Sequence, residues 1–180
     1  MYPKLPINGD GILLREFRAE DAESLAGIEY DPDVKKYMRL PEGERQEWIQ
    51  RFTPGSMHAC EICAIEVLPE QVLAGRASIS KMLCTQEKRE LQIVIARAFG
   101  GRRLGRKAAQ ILIPAAFEDL DTTAIVGVVN RENQRSLNLL HFFGFEYRGK
   151  KECDPDDWQG GHLIYELSRG AYDASLQRRR

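Results

Sequence analysis

The sequence lacks the features that would assign it to several large classes of protein. Four cysteines in 180 residues are too few for a disulfide framework in a chain of this length. No apolar run approaches the ~20 residues that span a bilayer, and the first 11 residues contain no apolar stretch typical of a secretory signal. The formal net charge is −1, so no overall field attracts the protein to nucleic acid or to a membrane. We expect a reduced, cytoplasmic setting.

Internal repeats and linker-like segments are also missing. A chain of 180 residues with 43% hydrophobic and 29% charged residues is typical of one globular domain with a substantial core. We predict a lead-in over residues 1–10, a single domain over 11–168 and a polar tail over 169–180.

One stretch, residues 90–120, organises the rest of the chain. A short apolar run rich in β-branched residues (91–96) is followed by a turn rich in glycine and arginine (100–107). Apolar residues then recur with the spacing of one helix face, at Leu104, Ala108, Ile111, Leu112 and Ala115. A strand, a turn and a helix start in this order direct free backbone N–H groups and the positive end of the helix dipole to one point. With arginines and a lysine nearby, the stretch predicts a ligand that carries phosphate.

The remaining patterns predict a mixed α/β layer with about seven strands and about four helices. Strands are expected at 11–17, 58–68, 72–83, 122–129, 145–148 and 162–167. Helices are expected at 22–28, 42–52 and 134–143, and a polar turn at 85–88. Gly75 inside a strand indicates a bulge or a close backbone approach, and Gly144 is a natural helix stop. Pro114 is expected to kink its helix.

Two familiar phosphate-binding motifs do not fit the glycine-rich turn. A P-loop has lysine and then Ser or Thr after its second glycine, but here Arg106 takes the lysine position and Lys107 follows. A dinucleotide-binding fingerprint needs a different glycine spacing and an acid at the end of the next strand, where this chain has Asn130.

A third interpretation fits better, because the turn resembles the acetyl-CoA-binding segment of the GCN5-related N-acetyltransferases, [QR]-x-x-G-x-[GA]. The resemblance covers about 11–168 and is strongest to the branch that acetylates the N-termini of ribosomal proteins. That branch carries N-x-x-N-x-x-S-x-x-L-L-x-x-x-G-F near the end of its domain. The matching residues here are Asn130, Asn133, Ser136, Leu139, Leu140, Gly144 and Phe145. The resemblance implies an α/β (α+β), single-domain acyl-CoA N-acyltransferase fold, with a mixed, twisted sheet of about seven strands flanked by about four helices.

The resemblance also implies a function and a set of site residues. The family transfers acetyl from acetyl-CoA to a primary amine, without a metal, and the acceptor is either a protein N-terminus or a small amine such as an amino acid or antibiotic. The implied cofactor-binding residues are Ile93, Val94, Ile95, Gly100, Gly101, Arg102, Arg103, Leu104, Gly105, Arg106, Lys107, Asn130, Asn133 and Ser136. Glu90 is the candidate base, acting through water, and Ser136 a candidate proton donor to the leaving thiolate. The family is often monomeric or dimeric.

Three positions depart from the family pattern. Gly100 stands where Gln or Arg is usual, and Arg103 stands where a glycine lets backbone approach the pyrophosphate. The Arg103 side chain has three options: to project away, to contact phosphate, or to block the ligand. Leu140 stands where many relatives have a tyrosine acid. Arg103 and Leu140 motivate a rival hypothesis, a non-catalytic acyl-CoA-binding module. A weaker rival is a nucleic-acid adaptor that uses 102–107.

Other candidate residues favour structural roles. Cys60 and Cys63 have the spacing of half a zinc site, but no second pair follows and a strand would turn them to opposite faces. Trp48 and Phe52 lie four apart on one predicted helix face and are expected in the core, with acceptor contact as the alternative. Trp158, in a predicted loop rich in Asp and Gly, is the better candidate for acceptor contact.

Overall fold

The fold is known from a computed structural model, which describes residues 4–38, 43–59, 61–82, 85–119, 121–150 and 162–178. Eight strands form one sheet: β1 (Ile7–Asn8), β2 (Ile12–Arg15), β3 (Ile62–Val67), β4 (Val72–Met82), β5 (Thr85–Ile95), β6 (Ala124–Asn130), β7 (Glu146–Lys150) and β8 (His162–Ser168). The helices are α1 (Asp21–Glu29), α2 (Pro32–Lys35), α3 (Arg45–Arg51), α4 (Pro54–Ala59), α5 (Leu104–Asp119), α6 (Gln134–Phe142) and α7 (Arg169–Gln177), with a 3₁₀ turn at Arg97–Phe99.

The sheet has the strand order β1-β2-β3-β4-β5-β6-β8-β7. The two central strands, β5 and β6, pair in parallel and are connected through α5, whereas the other neighbouring pairs of described strands are antiparallel. A parallel pair needs such a crossover, and its helix starts at the end of the first strand. The glycine-rich turn is therefore placed at the centre of the sheet.

Each face of the sheet is covered by its own apolar core, because side chains along a strand alternate between faces. On one face, Leu91 of β5 packs with Leu104 and Leu112 of α5. On the other face, Val94 of β5 packs with Leu25 and Ile28 of α1 in what is here called the second core. The central strand β5 thus contributes to both cores, and α5 and α1 lie on opposite faces of it.

Gly75 of β4 allows the backbone of β5 to approach closely, as the sequence predicted. A Cβ at this position would lie 2.0 Å from the carbonyl oxygen of Val94. Gly144 ends α6 with a φ of +78°, which confirms the predicted helix stop. Pro114 lies inside α5, which continues to Asp119.

The α/β fold class with a mixed sheet of about seven strands is confirmed: the sheet has eight described strands, since Ile7–Asn8 of the expected lead-in also pairs with β2. Several local predictions are wrong. Residues 54–59 form helix α4, so the strand predicted from residue 58 begins at Ile62. The turn predicted at 85–88 belongs to β5, since Thr85 already pairs with Met82.

The polar tail predicted over 169–180 contains a helix, α7. The Ser168 hydroxyl accepts a hydrogen bond from the N–H of Ala171, at 3.2 Å, and caps the helix start. Tyr172 stacks on Phe117 of α5, with ring centroids 4.8 Å apart. Composition does not predict this helix, because its contacts with the core come from only two of its described residues, Ala171 and Tyr172. In the described ranges no helix is both long enough and apolar enough to cross a bilayer.

Candidate active site

The central strands β5 and β6 separate halfway along their length. They pair at Lys88, Arg89 and Glu90, opposite 124–126, and no later pair joins them among the described residues. Beyond this point β5 keeps its pairing with β4 as far as Ile95, and β6 keeps its pairing with β8 as far as Asn130. The sheet therefore opens into a fork between Ile93–Ile95 on one side and 127–130 on the other.

A cleft of about 720 Å³ lies at the open end of this fork. Residues from three segments line it: 31–38 around α2, 93–106 from the end of β5 through the glycine-rich turn, and 132–139 at the start of α6. The cleft is thus bounded by the starts of two helices that follow the two diverging strands, and both helices present their N-terminal ends to it.

The start of α5 presents unpaired backbone donors to the cleft. The first hydrogen bond of this helix runs from the N–H of Lys107 to the carbonyl of Arg103, at 3.1 Å. The N–H groups of Leu104, Gly105 and Arg106 precede it and have no intrahelical acceptor. The first turn of α5 lies beside β5, since a Cβ at Gly105 would make ordinary van der Waals contact with Ile93 at 3.5 Å.

Arg103 has the backbone conformation that glycine adopts readily. Its φ is +59°, in the left-handed region, and that of Gly101 is +80°. This explains why the family pattern has glycine at the position of Arg103: the turn requires a left-handed residue immediately before α5. Arg103 is among the residues that line the cleft, and its contact with phosphate stays a prediction.

The basic side chains of the turn divide into two groups. Arg103 and Arg106 line the cleft, and the guanidinium of Arg106 lies over the Phe142 ring, 3.6 Å from its centroid. Arg102 and Lys107 are outside the lining and pair with exposed carboxylates: Arg102 with Glu70 at 3.2 Å, and Lys107 with Asp10 at 3.1 Å. A hydrogen bond to its own backbone N–H, and then the Arg102 guanidinium, lower the pKa of Glu70.

The opposite wall is formed by the residues of the predicted Asn-Asn-Ser pattern. Asn133 caps α6, because its side-chain oxygen accepts from the N–H of Ser136 at 3.2 Å, and both residues line the cleft. Asn130 is buried and accepts from the N–H of Glu132 at 2.9 Å, so it shapes the turn before α6 and does not line the cleft.

Glu90 lies at the base of the fork. It belongs to the last parallel pair, opposite Val126, and its carboxylate accepts a hydrogen bond from the side-chain amide of Gln92 at 3.0 Å. Glu90 is half-buried and does not line the cleft, whereas Ser136 does. The catalytic roles of both residues stay predictions.

The remaining sequence candidates lie apart from the cleft or outside the described residues. Trp48 and Phe52 pack with Phe17 in the second core, with ring centroids 5.5 Å apart for Trp48 and Phe52. Cys63 is buried and its thiol donates to a backbone carbonyl. Cys60 and Trp158 lie outside the described residues. Within the described ranges, no group of three or more His, Cys, Asp or Glu side chains could hold a metal ion.

Sequence reasoning missed the part of the cleft contributed by α2. Asp31, Asp33 and Lys36 line it, together with Arg97 and Arg135 from the other two segments. Helix α2 begins at the sequence Asp31-Pro32-Asp33, which is typical of a helix start, and the Asp31 side chain accepts a hydrogen bond from the N–H of Asp33. Nothing in that signal indicates that α2 lies beside residues more than 60 positions away.

Comparison with known proteins assigns the chain to a family. Residues 12–146 match the family described as the acetyltransferase (GNAT) domain. A curated relative from Bacillus licheniformis, described as uncharacterized N-acetyltransferase p20, is 25% identical over 143 residues, which cover 77% of this chain and 80% of the relative.

Solved structures of similar fold agree with this assignment. An acetyltransferase (GNAT family) from Bacillus anthracis has a TM-score of 0.77 and 20% identity, covering 91% of this chain and 98% of its own. A ribosomal-protein-S5-alanine acetyltransferase from Vibrio fischeri has a TM-score of 0.73 and 15% identity, covering 94% and 99%. An aminoglycoside acetyltransferase in complex with coenzyme A has a TM-score of 0.71 and 15% identity, covering 92% and 99%.

Proposed function

The chain belongs to the GNAT acetyltransferase family, and on that premise we propose that it transfers an acetyl group from acetyl-CoA to a primary amine. The acceptor is the N-terminal amine of a protein or a small amine. The observation that carries the proposal is the fork between β5 and β6, which ends in one cleft with the N-terminus of α5. Similar folds include enzymes for both acceptor classes, a ribosomal-protein acetyltransferase and an aminoglycoside acetyltransferase.

The residues of the cleft fit the parts of coenzyme A. The free N–H groups at the start of α5 and the guanidinium groups of Arg103 and Arg106 suit the pyrophosphate. The side of β5 that faces β6 leaves its pairing after Glu90, so the backbone of 91–95 has room for an extended pantetheine arm between the strands. Asn133 keeps its side-chain amide hydrogens for the ligand, because its oxygen is used in the cap of α6.

In this reaction the main task of the protein is to position the amine next to the thioester. The bound thioester supplies an activated acetyl carbon, to which the amine forms a C–N bond as the C–S bond breaks. We assign to Ser136, which lines the cleft, the transfer of a proton to the leaving sulfur, a proton that its hydroxyl regains from solvent. Glu90 acts as the base through water, since its carboxylate lies at the base of the fork and not in the cleft.

Two measurements test the proposal in sequence. Isothermal titration with acetyl-CoA measures binding, and release of free CoA is then followed against a panel of peptides with free N-termini and small amines. Binding together with acceptor-dependent release is the expected result. Absence of binding at millimolar acetyl-CoA contradicts the proposal, and binding without release on any acceptor favours the non-catalytic acyl-CoA-binding module, which Leu140 in place of tyrosine motivates.

A glycine pair makes the placement of the pyrophosphate testable. A Cβ at Gly105 makes ordinary contacts with Ile93 and Ile95 at 3.5 and 3.8 Å, so the fold accommodates alanine there. G105A should nevertheless weaken acetyl-CoA binding, because the added methyl group narrows the cleft beside the free N–H groups of the helix start. Gly27→Ala, on helix α1 with nothing within 4 Å of the added atom, is the matched control. Equal binding by both variants would show that the pyrophosphate lies elsewhere.

A further inference from the structure

The segment 31–38, here called the strap, is joined by an ion pair to each wall of the cleft. Asp33 pairs with Arg97, at the end of β5, with an N–O distance of 3.2 Å. Lys36 pairs with Glu132, before α6, with an N–O distance of 3.9 Å. Because β5 and β6 diverge between these two points, the strap bridges the open end of the fork.

Little else holds the strap in place. Helix α2 has no buried residue, and the four side chains of the two ion pairs are each more than half exposed, at 55–77%. Val34 and Met38 are partly buried against the second core. Exposed pairs contribute little to stability and are screened by salt, so a ligand of high charge is able to displace them.

The charges that line the cleft explain which ligand would do so. Five cations face it, Lys36, Arg97, Arg103, Arg106 and Arg135, together with three carboxylates, Asp31, Asp33 and Glu132. Among the described residues, Arg103, Arg106 and Arg135 form no ion pair with a carboxylate. By contrast, Arg97 pairs with Asp33 and Lys36 pairs with Glu132. An anion with several phosphate charges gains two further cations if these carboxylates release them.

We propose that Arg97 and Lys36 bind phosphate groups of coenzyme A, and that they leave their ion pairs with Asp33 and Glu132 when the coenzyme enters. The inference rests on the proposed function, since it requires coenzyme A in this cleft. In the free protein the two ion pairs hold the strap across the fork, and the two carboxylates occupy the cations that would bind phosphate. On binding, the phosphates take over the two cations, and the strap is then held through the ligand.

The test removes the two competing carboxylates and leaves the cations. In D33N/E132Q, Arg97 and Lys36 are free in advance, so coenzyme A should bind about three- to tenfold more tightly, as expected for two exposed pairs. In R97Q/K36Q the affinity should fall about tenfold, and the dependence of log Kd on log salt concentration should flatten. Pantetheine, which carries no phosphate, should show neither change. All three are measured by isothermal titration.

The matched control is E23Q/E146Q. It makes the same change in charge at two exposed ion pairs outside the cleft, Glu23 with Arg45 and Glu146 with Arg148, and it should bind coenzyme A as the wild type does. If D33N/E132Q and the control both lower the Kd for coenzyme A to the same extent, the effect comes from net charge and the proposed exchange is wrong. Tightening of pantetheine by D33N/E132Q would show that the strap merely obstructs entry. If the wild type itself fails to bind coenzyme A, the proposed function fails as well.

Discussion

The guanidinium of Arg15 donates to both carboxylate oxygens of Asp21, at 2.7 and 2.9 Å, and both side chains are 7% exposed. Its remaining Nε–H donates to Glu66 of β3 at 2.6 Å. The backbone N–H of Arg18 also donates to Asp21, at 2.7 Å. This buried cluster fixes the start of α1 against β2 and β3. At the other end of α1, Glu29 pairs with Arg76 of β4, so both ends of the helix are held by arginines of the sheet.

The cluster predicts a pH dependence of stability. Burial raises the pKa of Asp21, but the hydrogen bonds from Arg15 and Arg18 outweigh it, and the net pKa lies below the ordinary value. A depressed folded-state pKa stabilises the protein above the unfolded-state pKa of about 3.9, and this stabilisation is lost as the pH falls through the folded-state value. We expect Asp21→Asn to reduce the free energy of unfolding by about 1.5–3 kcal/mol at pH 7, because Arg15 and the N–H of Arg18 lose a charged acceptor while Arg15 keeps Glu66.

The same variant should flatten the profile in acid. Urea denaturation from pH 3 to pH 7 should show the difference between wild type and D21N shrinking below pH 4. Asp173→Asn, at an exposed position of α7, should leave the profile unchanged. A constant difference at every pH would mean that Asp21 acts through packing alone.

Gly75 sets the position of the cleft wall. A Cβ at this site would lie 2.0 Å from the carbonyl oxygen of Val94 and 3.1 Å from the Cα of Ile95, so alanine must push β5 away from β4. Gly75→Ala should cost at least about 1–3 kcal/mol, in the range of an overpacked core, and should raise the Kd for coenzyme A because β5 lines the cleft. Thermal unfolding and titration measure both effects. Gly27→Ala, with free space, should be neutral or slightly stabilising; equal behaviour of the two variants would contradict the close approach.

The sequence predicts the parts of the fold that local chemistry determines. Alternation and β-branched runs place β4, β5 and β6, and Gly144 places the end of α6, because these signals depend on neighbours along the chain. The turn expected at 85–88 failed for the opposite reason. Its residues belong to the end of a long hairpin, where pairing with β4 overrides local composition.

The candidate site divides in the same way. The turn at 100–107 and the Asn-Asn-Ser pattern are local motifs, and the structure brings Gly105, Asn133 and Ser136 to one cleft. The contribution of the strap depends on contacts between distant segments, such as Lys36 with Glu132, which no spacing in one sequence reveals. The sequence likewise does not show that Arg102 pairs with Glu70 outside the cleft while its neighbour Arg103 lines the cleft.

Asn133 is expected to serve the cap of α6 and the ligand separately. Asn133→Ala removes the hydrogen bond to the N–H of Ser136 and should cost about 1 kcal/mol. Asn133→Ser keeps an N-cap oxygen and should retain most of the stability, but it loses the side-chain amide hydrogens and should therefore bind coenzyme A several-fold more weakly. Chemical denaturation and titration of the two variants separate the roles. If N133S keeps full affinity, the amide hydrogens of Asn133 do not contact the ligand.

Substitutions at Arg103 separate the effect of its backbone conformation from the effect of its side chain. Its left-handed φ of +59° costs an L-residue about 1–2 kcal/mol, and Arg103→Gly relieves this strain at some entropic cost. Arg103→Ala keeps this backbone strain, and both variants lose the guanidinium. We expect R103G to be up to about 1 kcal/mol more stable than R103A, while both bind coenzyme A more weakly than wild type and with a flatter salt dependence, because a cation facing the phosphates is gone. Tighter binding by both variants would instead show that the side chain obstructs the cleft, and equal stability would show that the strain is relieved elsewhere in the turn.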